Sequence, residues 1–325
     1  MDSRGSTKSN DKEGTILQIE RTEEQDDGDL LRSLALFDFS IPLVEKKPGT
    51  LRLFYNNCNG LEITNLIMDV LSRKRDKRAN TYLKEIANPT KLDRLLRQVK
   101  VWQVDMVMLA ETCTDWNQTV VRRAVRHITQ TYDQTGCWMG STSQVNVGNY
   151  LKPGGTGTFA TGYCNGRILE KGNDPWKMGR WTYILIGRDI NEKKILFITG
   201  YRTGNRTGEV GINTTWSQQV AMIAKTQRET TPYESYFQDL ELWLEKYRTP
   251  NMEVVICMDA NEQWSQKAGV ARFAQSNGLV NVNEELNLSH THPNVANIDK
   301  STTIDYCLCS PGVLDCVEYA SPVPY

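Results

Sequence analysis

Short apolar segments recur along this chain, and each is followed by, or contains, a residue with a polar or charged side chain. The five segments span residues 51–55, 106–110, 195–198, 254–258 and 303–309. Their length and composition are typical of buried strands. Between them, apolar residues repeat at helical spacing over 61–71, 92–99 and 236–247. This alternation predicts a layered α/β domain with its strands in the core.

The side chains at the ends of these segments are carboxylates, amides and one phenol. They belong to Asn57, Asn59, Glu111, Tyr201, Asp259, Asn261 and Asp305. In an open α/β fold, strand ends line a crevice. Residues two apart on an extended chain, such as Asp259 and Asn261, also point to the same side. We therefore predict one site carrying the groups that metal-assisted phosphoryl chemistry uses.

Taken singly, these residues also fit ordinary structural roles. Glu111 fits a loop or helix-start acid, Tyr201 fits a packing residue, and Asp259 fits an Asx turn that closes a strand. The glycine-rich segment 153–158 could approach a phosphate closely or form a hairpin turn. Only the combination of the segments favours a functional site.

Composition places the chain among soluble globular proteins, with 325 residues, 24% charged and 39% hydrophobic. The net charge of −1 gives no overall attraction to nucleic acid. Residues 73–100, however, contain ten basic and three acidic side chains. This basic segment fits a nucleic-acid contact or a nuclear import signal, and it also fits a solvated helix face.

The N-terminal region differs from the rest of the chain because residues 1–30 hold nine acidic and four basic residues. We predict a disordered acidic arm over 1–48 and a folded domain over 49–325. No apolar stretch is long enough for a membrane span, and no secretory signal is visible. The eight cysteines are scattered without a Cys-x-x-Cys pair, which favours reduced thiols in a nuclear or cytoplasmic protein that is not secreted.

The order of the motifs is more specific than any one of them. In chain order they are LFYNNCNG from 53, DMVMLAET from 105, TGY from 199, MDAN from 258 and STTIDY from 301. This series resembles the endonuclease/exonuclease/phosphatase (DNase I-like) superfamily over roughly residues 50–320, and it looks closest to retroelement-type endonuclease domains. The resemblance implies a four-layer α/β sandwich, in which two packed mixed β-sheets are flanked by helices.

The resemblance also implies a role for each strand-end residue. Glu111 and Asn59 would bind Mg²⁺ or Mn²⁺, and Asn59 stands where many members carry an aspartate. Asn57 and Arg202 would bind the phosphate or the substrate. Four residues would be catalytic. Tyr201 would be bonded to the scissile phosphate, and Asp259 would act on the attacking water. Asn261 would stabilise the transition state, and Asp305 would orient a histidine.

The family's final Ser-Asp-His motif has no counterpart after Asp305. The three histidines of the chain are His127, His290 and His292, and the last two precede Asp305 in a segment that we interpret as a loop. We therefore expect a domain truncated at its C-terminus that lacks its last strand, so that a neighbouring strand has an unpaired edge.

The resemblance implies divalent-metal-dependent phosphodiester hydrolysis, with DNA as the substrate of a retroelement-type endonuclease. One alternative is a catalytically dead fragment that at most binds nucleic acid through the basic segment. Another keeps the chemistry and changes the substrate, as in a phosphatase or a deadenylase of the same superfamily. Metal-dependent nicking of plasmid DNA discriminates the first two hypotheses.

Overall fold

The structure is a computed structural model that describes residues 14–19, 45–63, 90–148, 151–188, 193–206, 211, 213–265, 267, 269–288 and 302–323. The strands are β1 (Gly14–Ile19), β2 (Leu51–Asn57), β3 (Met106–Ala110), β4 (Cys137–Ser141), β5 (Thr156–Ala160), β6 (Ile168–Asn173), β7 (Trp181–Ile186), β8 (Lys194–Tyr201), β9 (Met252–Asp259), β10 (Val280–Asn281), β11 (Asp305–Cys309) and β12 (Val317–Val323). The helices are α1 (Lys91–Val101), α2 (Thr119–Tyr132), α3 (Gly162–Asn165), α4 (Thr215–Ala224), α5 (Pro232–Leu244), α6 (Gly269–Ser276), α7 (Val282–Glu285) and α8 (Pro311–Leu314).

The strands form two six-stranded mixed sheets. Sheet 1 has the order β12-β1-β2-β3-β5-β4, and sheet 2 has the order β10-β11-β9-β8-β7-β6. In each sheet the two central strands are parallel, β2 with β3 and β9 with β8, and the other pairs are antiparallel. The two sheets thus have the same pairing pattern, as the predicted mixed sheets require.

The main core lies between the sheets. Along β2, Leu51, Leu53 and Tyr55 face sheet 2, whereas Phe54 faces the helices on the other side. This alternation is the period of two that a strand imposes on its side chains. Helices α1 and α2 cover the outer face of sheet 1, and α5 and α6 cover that of sheet 2. The predicted four-layer sandwich is therefore confirmed.

The five apolar segments correspond to β2, β3, β8, β9 and β11, which are buried because helices cover one face and the partner sheet the other. Helix α5, which covers most of the predicted repeat at 236–247, begins with a capping box between Thr231 and Glu234 and has Pro232 in its first turn. Helix α1 covers the predicted repeat at 92–99, while residues 64–71 of the repeat at 61–71 lie outside the described residues. No helix in the described ranges has the length and apolarity needed to cross a membrane.

Strand β1 differs from the expectation for the N-terminal region. It lies between β2 and β12 and pairs antiparallel with both over residues 14–19, so the prediction of a disordered arm is wrong for these six residues. Because β1 fills the position between β2 and β12, each of these two strands is paired on that side. Gly14 pairs with Asn56, so β1 begins beside the polar end of β2.

Deletion of residues 1–20 removes β1 and leaves the backbone groups of β2 and β12 on that side without ladder partners. We expect the free energy of unfolding to fall by at least about 3 kcal/mol, since each lost ladder bond contributes about 0.5–1.5 kcal/mol. Urea denaturation followed by far-UV circular dichroism measures the change. The control deletion, of residues 1–12, retains all six paired residues, and equal midpoints for the two deletions would contradict the role of β1.

Candidate active site

The strand ends of both sheets meet at one edge of the sandwich. In sheet 2, Tyr201 at the end of β8 pairs with Asp259 at the end of β9, and Asp259 pairs with Asp305 at the start of β11. In sheet 1, Asn57 at the end of β2 pairs with Ala110, which directly precedes Glu111. The structure therefore brings together side chains that sequence reasoning assigned to one site.

Two hydrogen bonds join the sheets at this edge. The Asn57 amide Nδ2 donates to Asp259 Oδ2 at 2.5 Å, and the Tyr55 hydroxyl donates to Asp305 Oδ1 at 2.8 Å. Tyr55 and Asn57 are two residues apart, so both point from β2 toward sheet 2. The two carboxylates lie directly opposite each other on antiparallel strands, a destabilising arrangement for like charges. Each is stabilised by a donor from the other sheet.

Asn261, two positions after Asp259, holds the second oxygen of the Asp259 carboxylate. The backbone N–H of Asn261 donates to Asp259 Oδ1 at 2.9 Å, and the Asn261 amide donates to the carbonyl of Arg202 at 2.7 Å. The Asx turn considered from the sequence is thus present and fixes the carboxylate. The predicted transition-state role of Asn261 stays a prediction, because its amide is bonded to the backbone here.

Glu111 has a left-handed backbone conformation, with φ of +50°. Such a conformation is strained for a residue with a side chain, and strain of this kind clusters at functional sites. The backbone beside it is fixed by the glycine-rich segment, since Thr112 N–H donates to Gly155 O at 3.1 Å and Cys113 N–H to Gly154 O at 2.9 Å. The segment thus supports Glu111. Asn59 is exposed, and its φ of +41° is also left-handed.

Tyr201 is a buried phenol. Burial, followed by the negative charges of Glu111 and Asp259, raises its pKa well above the ordinary value, and the hydroxyl is hydrogen-bonded to Thr215. The phenol therefore stays protonated at neutral pH and remains a hydrogen-bond donor. Gly154 makes this packing possible, because a Cβ there would lie 2.7 Å from Thr215 Oγ1 and 3.2 Å from Tyr201 Cε1.

The Arg202 side chain is surrounded by other protein groups and is not open to solvent. Its guanidinium donates to Glu262 Oε2 at 2.8 Å and to the carbonyl of Tyr233, and it lies 3.4 Å from the centroid of the Tyr233 ring. Its side chain is 3% exposed. These contacts tie the segment after β8 to the start of α5, and they differ from the phosphate contact predicted for this residue.

A buried ion network lies behind Tyr201. Arg180, whose side chain is fully buried, pairs with Asp174 at 2.8 Å and with Asp239 at 2.7 Å. Arg228 also pairs with Asp239, but its side chain is 30% exposed. The backbone N–H of Tyr201 donates to the carbonyl of Arg180 at 2.8 Å. The network therefore anchors the segment that positions Tyr201.

The residues at the site fit a hard cation that keeps most of its water ligands. The described part of the chain contains no group of three or more histidine, cysteine, aspartate or glutamate side chains that could hold a metal. Mg²⁺ is commonly bound by one or two carboxylates together with waters and substrate phosphates. Glu111 supplies one carboxylate at the cavity, and Gly60 N–H donates to the Glu111 carbonyl at 2.8 Å, so Asn59 lies in the segment beside it.

Sequence reasoning missed Tyr55, because a phenol inside an apolar run is read as core. The available signal was its spacing of two from Asn57. Of the three histidines, His127 lies on the exposed face of α2, while His290 and His292 lie outside the described residues. Residues 73–89 of the basic segment lie outside them as well, and residues 91–100 belong to α1.

No family model matches the sequence, and no curated protein matches it. Among solved structures, the chain is similar to an endonuclease/exonuclease/phosphatase family protein from Leptotrichia buccalis C-1013-b, with 12% identity, coverage of 80% of this chain and 87% of that chain, and a TM-score of 0.46. It is also similar to a humanized D. rerio TDP2, with 14% identity, coverage of 80% and 83%, and a TM-score of 0.44.

A third similar structure is the endonuclease domain of TRAS1, a telomere-specific non-LTR retrotransposon, with 11% identity, coverage of 82% and 87%, and a TM-score of 0.43. The fold assignment itself rests on the strand order and layers of this chain.

Replacing Tyr55 by Phe removes one donor between the sheets and leaves the Asp305 carboxylate without it. We expect the free energy of unfolding to fall by about 1–3 kcal/mol, the cost of a buried polar group that loses its partner. Urea denaturation measures it. Tyr163→Phe is the matched control, since Tyr163 is 46% exposed, and its effect should stay within about 0.5 kcal/mol. Equal effects would contradict the importance of the Tyr55–Asp305 bond.

Replacing Arg180 by Met leaves Asp174 and Asp239 without their shared buried cation. We expect a loss of about 3–5 kcal/mol in unfolding free energy. Arg228→Met removes the more exposed partner of the same Asp239 and should cost less than about 1 kcal/mol. Thermal and urea unfolding of both variants test this difference, and a larger loss for Arg228→Met would overturn it.

Proposed function

We propose that this chain hydrolyses phosphodiester bonds in a divalent-metal-dependent reaction, and that it cleaves DNA internally. The observation that carries the proposal is the meeting of strand ends from both sheets. Glu111 and Tyr201 line one cavity, and Tyr201 is paired with Asp259, which Asn57 holds from the opposite sheet. The motif order, which resembles retroelement-type endonuclease domains, supports DNA as the substrate.

In this proposal Glu111, together with Asn59, would hold Mg²⁺ or Mn²⁺. Such an ion neutralises charge on the phosphate as the pentacoordinate transition state forms. The fixed backbone around Glu111 keeps its carboxylate at the cavity, so that little reorganisation is needed when substrate binds.

Asp259 is proposed to orient the attacking water or to accept its proton. An ionised carboxylate is a hydrogen-bond acceptor, and the bonds from Asn57 and Asn261 hold the Asp259 carboxylate in one orientation. Precise orientation of the water is a large part of what the enzyme can contribute to hydrolysis.

Tyr201 is proposed to donate a hydrogen bond to a non-bridging oxygen of the scissile phosphate. A phenol with a raised pKa is a neutral donor, and it adds no negative charge beside an anionic substrate. Asp305, bonded to Tyr55, would support the geometry of Asp259 through its strand.

A second candidate is nucleic-acid binding without cleavage. It is supported by the exposed side chains of Arg94, Arg97 and Lys100 on α1. It also accords with the lack of a preformed three-residue metal site within the described ranges. This candidate predicts salt-sensitive binding and no turnover.

The test is nicking of supercoiled plasmid in Mg²⁺ or Mn²⁺ by the full chain and by Glu111→Gln and Asp259→Asn. We expect each substitution to reduce the rate by at least about 100-fold, because each removes a charge that acts on the transition state. Glu284→Gln, on the exposed surface of α7, is the matched control and should nick as the unmodified chain does.

Nicking that survives both active-site substitutions would refute the site assignment. Salt-sensitive DNA binding with no nicking would favour the second candidate. Parallel assays on plasmid, a poly(A) oligomer and an inositol phosphate identify the substrate class, and turnover of the inositol phosphate alone would show a phosphatase instead of a nuclease.

A further inference from the structure

A cavity of about 540 Å³ opens directly beside the candidate active site. Glu111, Tyr201 and Pro153 form the wall next to the site. The segment after β8, with Arg206, and the start of α4, with Trp216, form the rest of the wall. Its volume falls within the range of pockets that bind small ligands. None of the proposed catalytic roles uses the part of the cavity that Arg206 and Trp216 line.

The large aromatic ring of Trp216 is not part of any hydrophobic core cluster of the described residues. The other seven tryptophans of the sequence each lie against another aromatic ring, within about 6 Å between centroids. In the part of the chain that the structure describes, Trp216 has no such ring contact, and it is only partly buried. Its indole is thus available to a ligand in the cavity.

Arg206 differs from Arg202 as Trp216 differs from the other tryptophans, because it has no partner in the described part of the chain. Arg202 is buried and paired with Glu262, whereas Arg206 is exposed at the cavity and makes no ion pair or hydrogen bond with any described residue. An unpaired guanidinium beside a phosphoryl-transfer site is suited to bidentate phosphate binding. Arg206 lies four residues beyond Arg202, for which the phosphate contact was predicted.

We propose that this cavity is a nucleotide subsite of the nuclease, in which Trp216 stacks on the base next to the scissile phosphate and Arg206 binds an adjacent phosphate. The inference rests on the proposed function, because it places the neighbouring phosphate at Glu111 and Tyr201. Every base has a π-face, so stacking of this kind binds single-stranded or locally opened DNA with little sequence preference. A ligand without a base gains nothing from the indole.

The test measures binding without turnover, using the full chain in EDTA and fluorescence anisotropy of a labelled single-stranded DNA oligonucleotide. Trp216→Ala should weaken binding by about 5- to 150-fold, the usual effect of losing one stacking ring. Trp216→Phe should retain most of the affinity. Leu242→Ala, an exposed apolar residue on α5, is the control and should bind normally. Thermal unfolding of each variant confirms that it is folded.

Two further experiments separate the contribution of base stacking to binding from the contribution of charge. An oligonucleotide of the same length without bases should bind equally well to the unmodified chain and to Trp216→Ala. Arg206→Gln should lower the slope of log affinity against log salt by about 0.7, since one phosphate contact with a single strand is lost. Unchanged affinity of Trp216→Ala for the normal oligonucleotide, or an equal loss for the one without bases, would overturn the subsite.

The outcomes also distinguish this inference from the proposed function. Nicking that depends on Glu111, with DNA binding that is independent of Trp216, refutes the subsite and leaves the nuclease. Binding that depends on Trp216, with no nicking under any condition, supports the subsite and refutes the nuclease.

Discussion

Two carboxylates on neighbouring strands of one sheet, each bonded to a donor from the other sheet, are the constraint on which the candidate site depends. Asp259 and Asp305 are almost fully buried and directly opposite each other. Burying two like charges is costly unless each has close hydrogen-bond donors. Strand β2 supplies them through Tyr55 and Asn57. The same two bonds fix how the sheets lie relative to each other at the edge where the strand ends meet.

The site has a fixed side and an open side. On the fixed side, Asn57, Asn261 and Arg202 are all bonded to other protein groups, so they set geometry. On the open side, Glu111 and Tyr201 face a cavity whose outer wall carries Trp216 and Arg206. The proposed reaction requires such a division, because preorganised electrostatics needs fixed groups on one side and room for the substrate on the other.

The sequence predicted much of this arrangement, and the exceptions have physical causes. The five apolar segments are strands because each is covered on both faces, and burial of that kind leaves an unbroken apolar run. Strand β1 was missed because it is a six-residue strand within an acidic region. The pairing of Arg202 with Glu262 could not be predicted, because a sequence does not reveal whether a guanidinium is already paired, and the phosphate contact of Arg202 stays a prediction. The proposed role of Trp216 could not be predicted, because its lack of a ring contact is visible only once the packing of the other tryptophans is known.

The position of β1 between β2 and β12 has a consequence for how the chain is made. Strands β1 and β2 can pair as soon as both have left the ribosome, but the other edge of β1 has no partner until β12, at residues 317–323, has been synthesised. An open strand edge is a template for pairing with other chains. A nascent chain therefore carries this exposed edge while every element between β2 and β12 is being made, and sheet 1 is completed beside Asn56 only when β12 arrives.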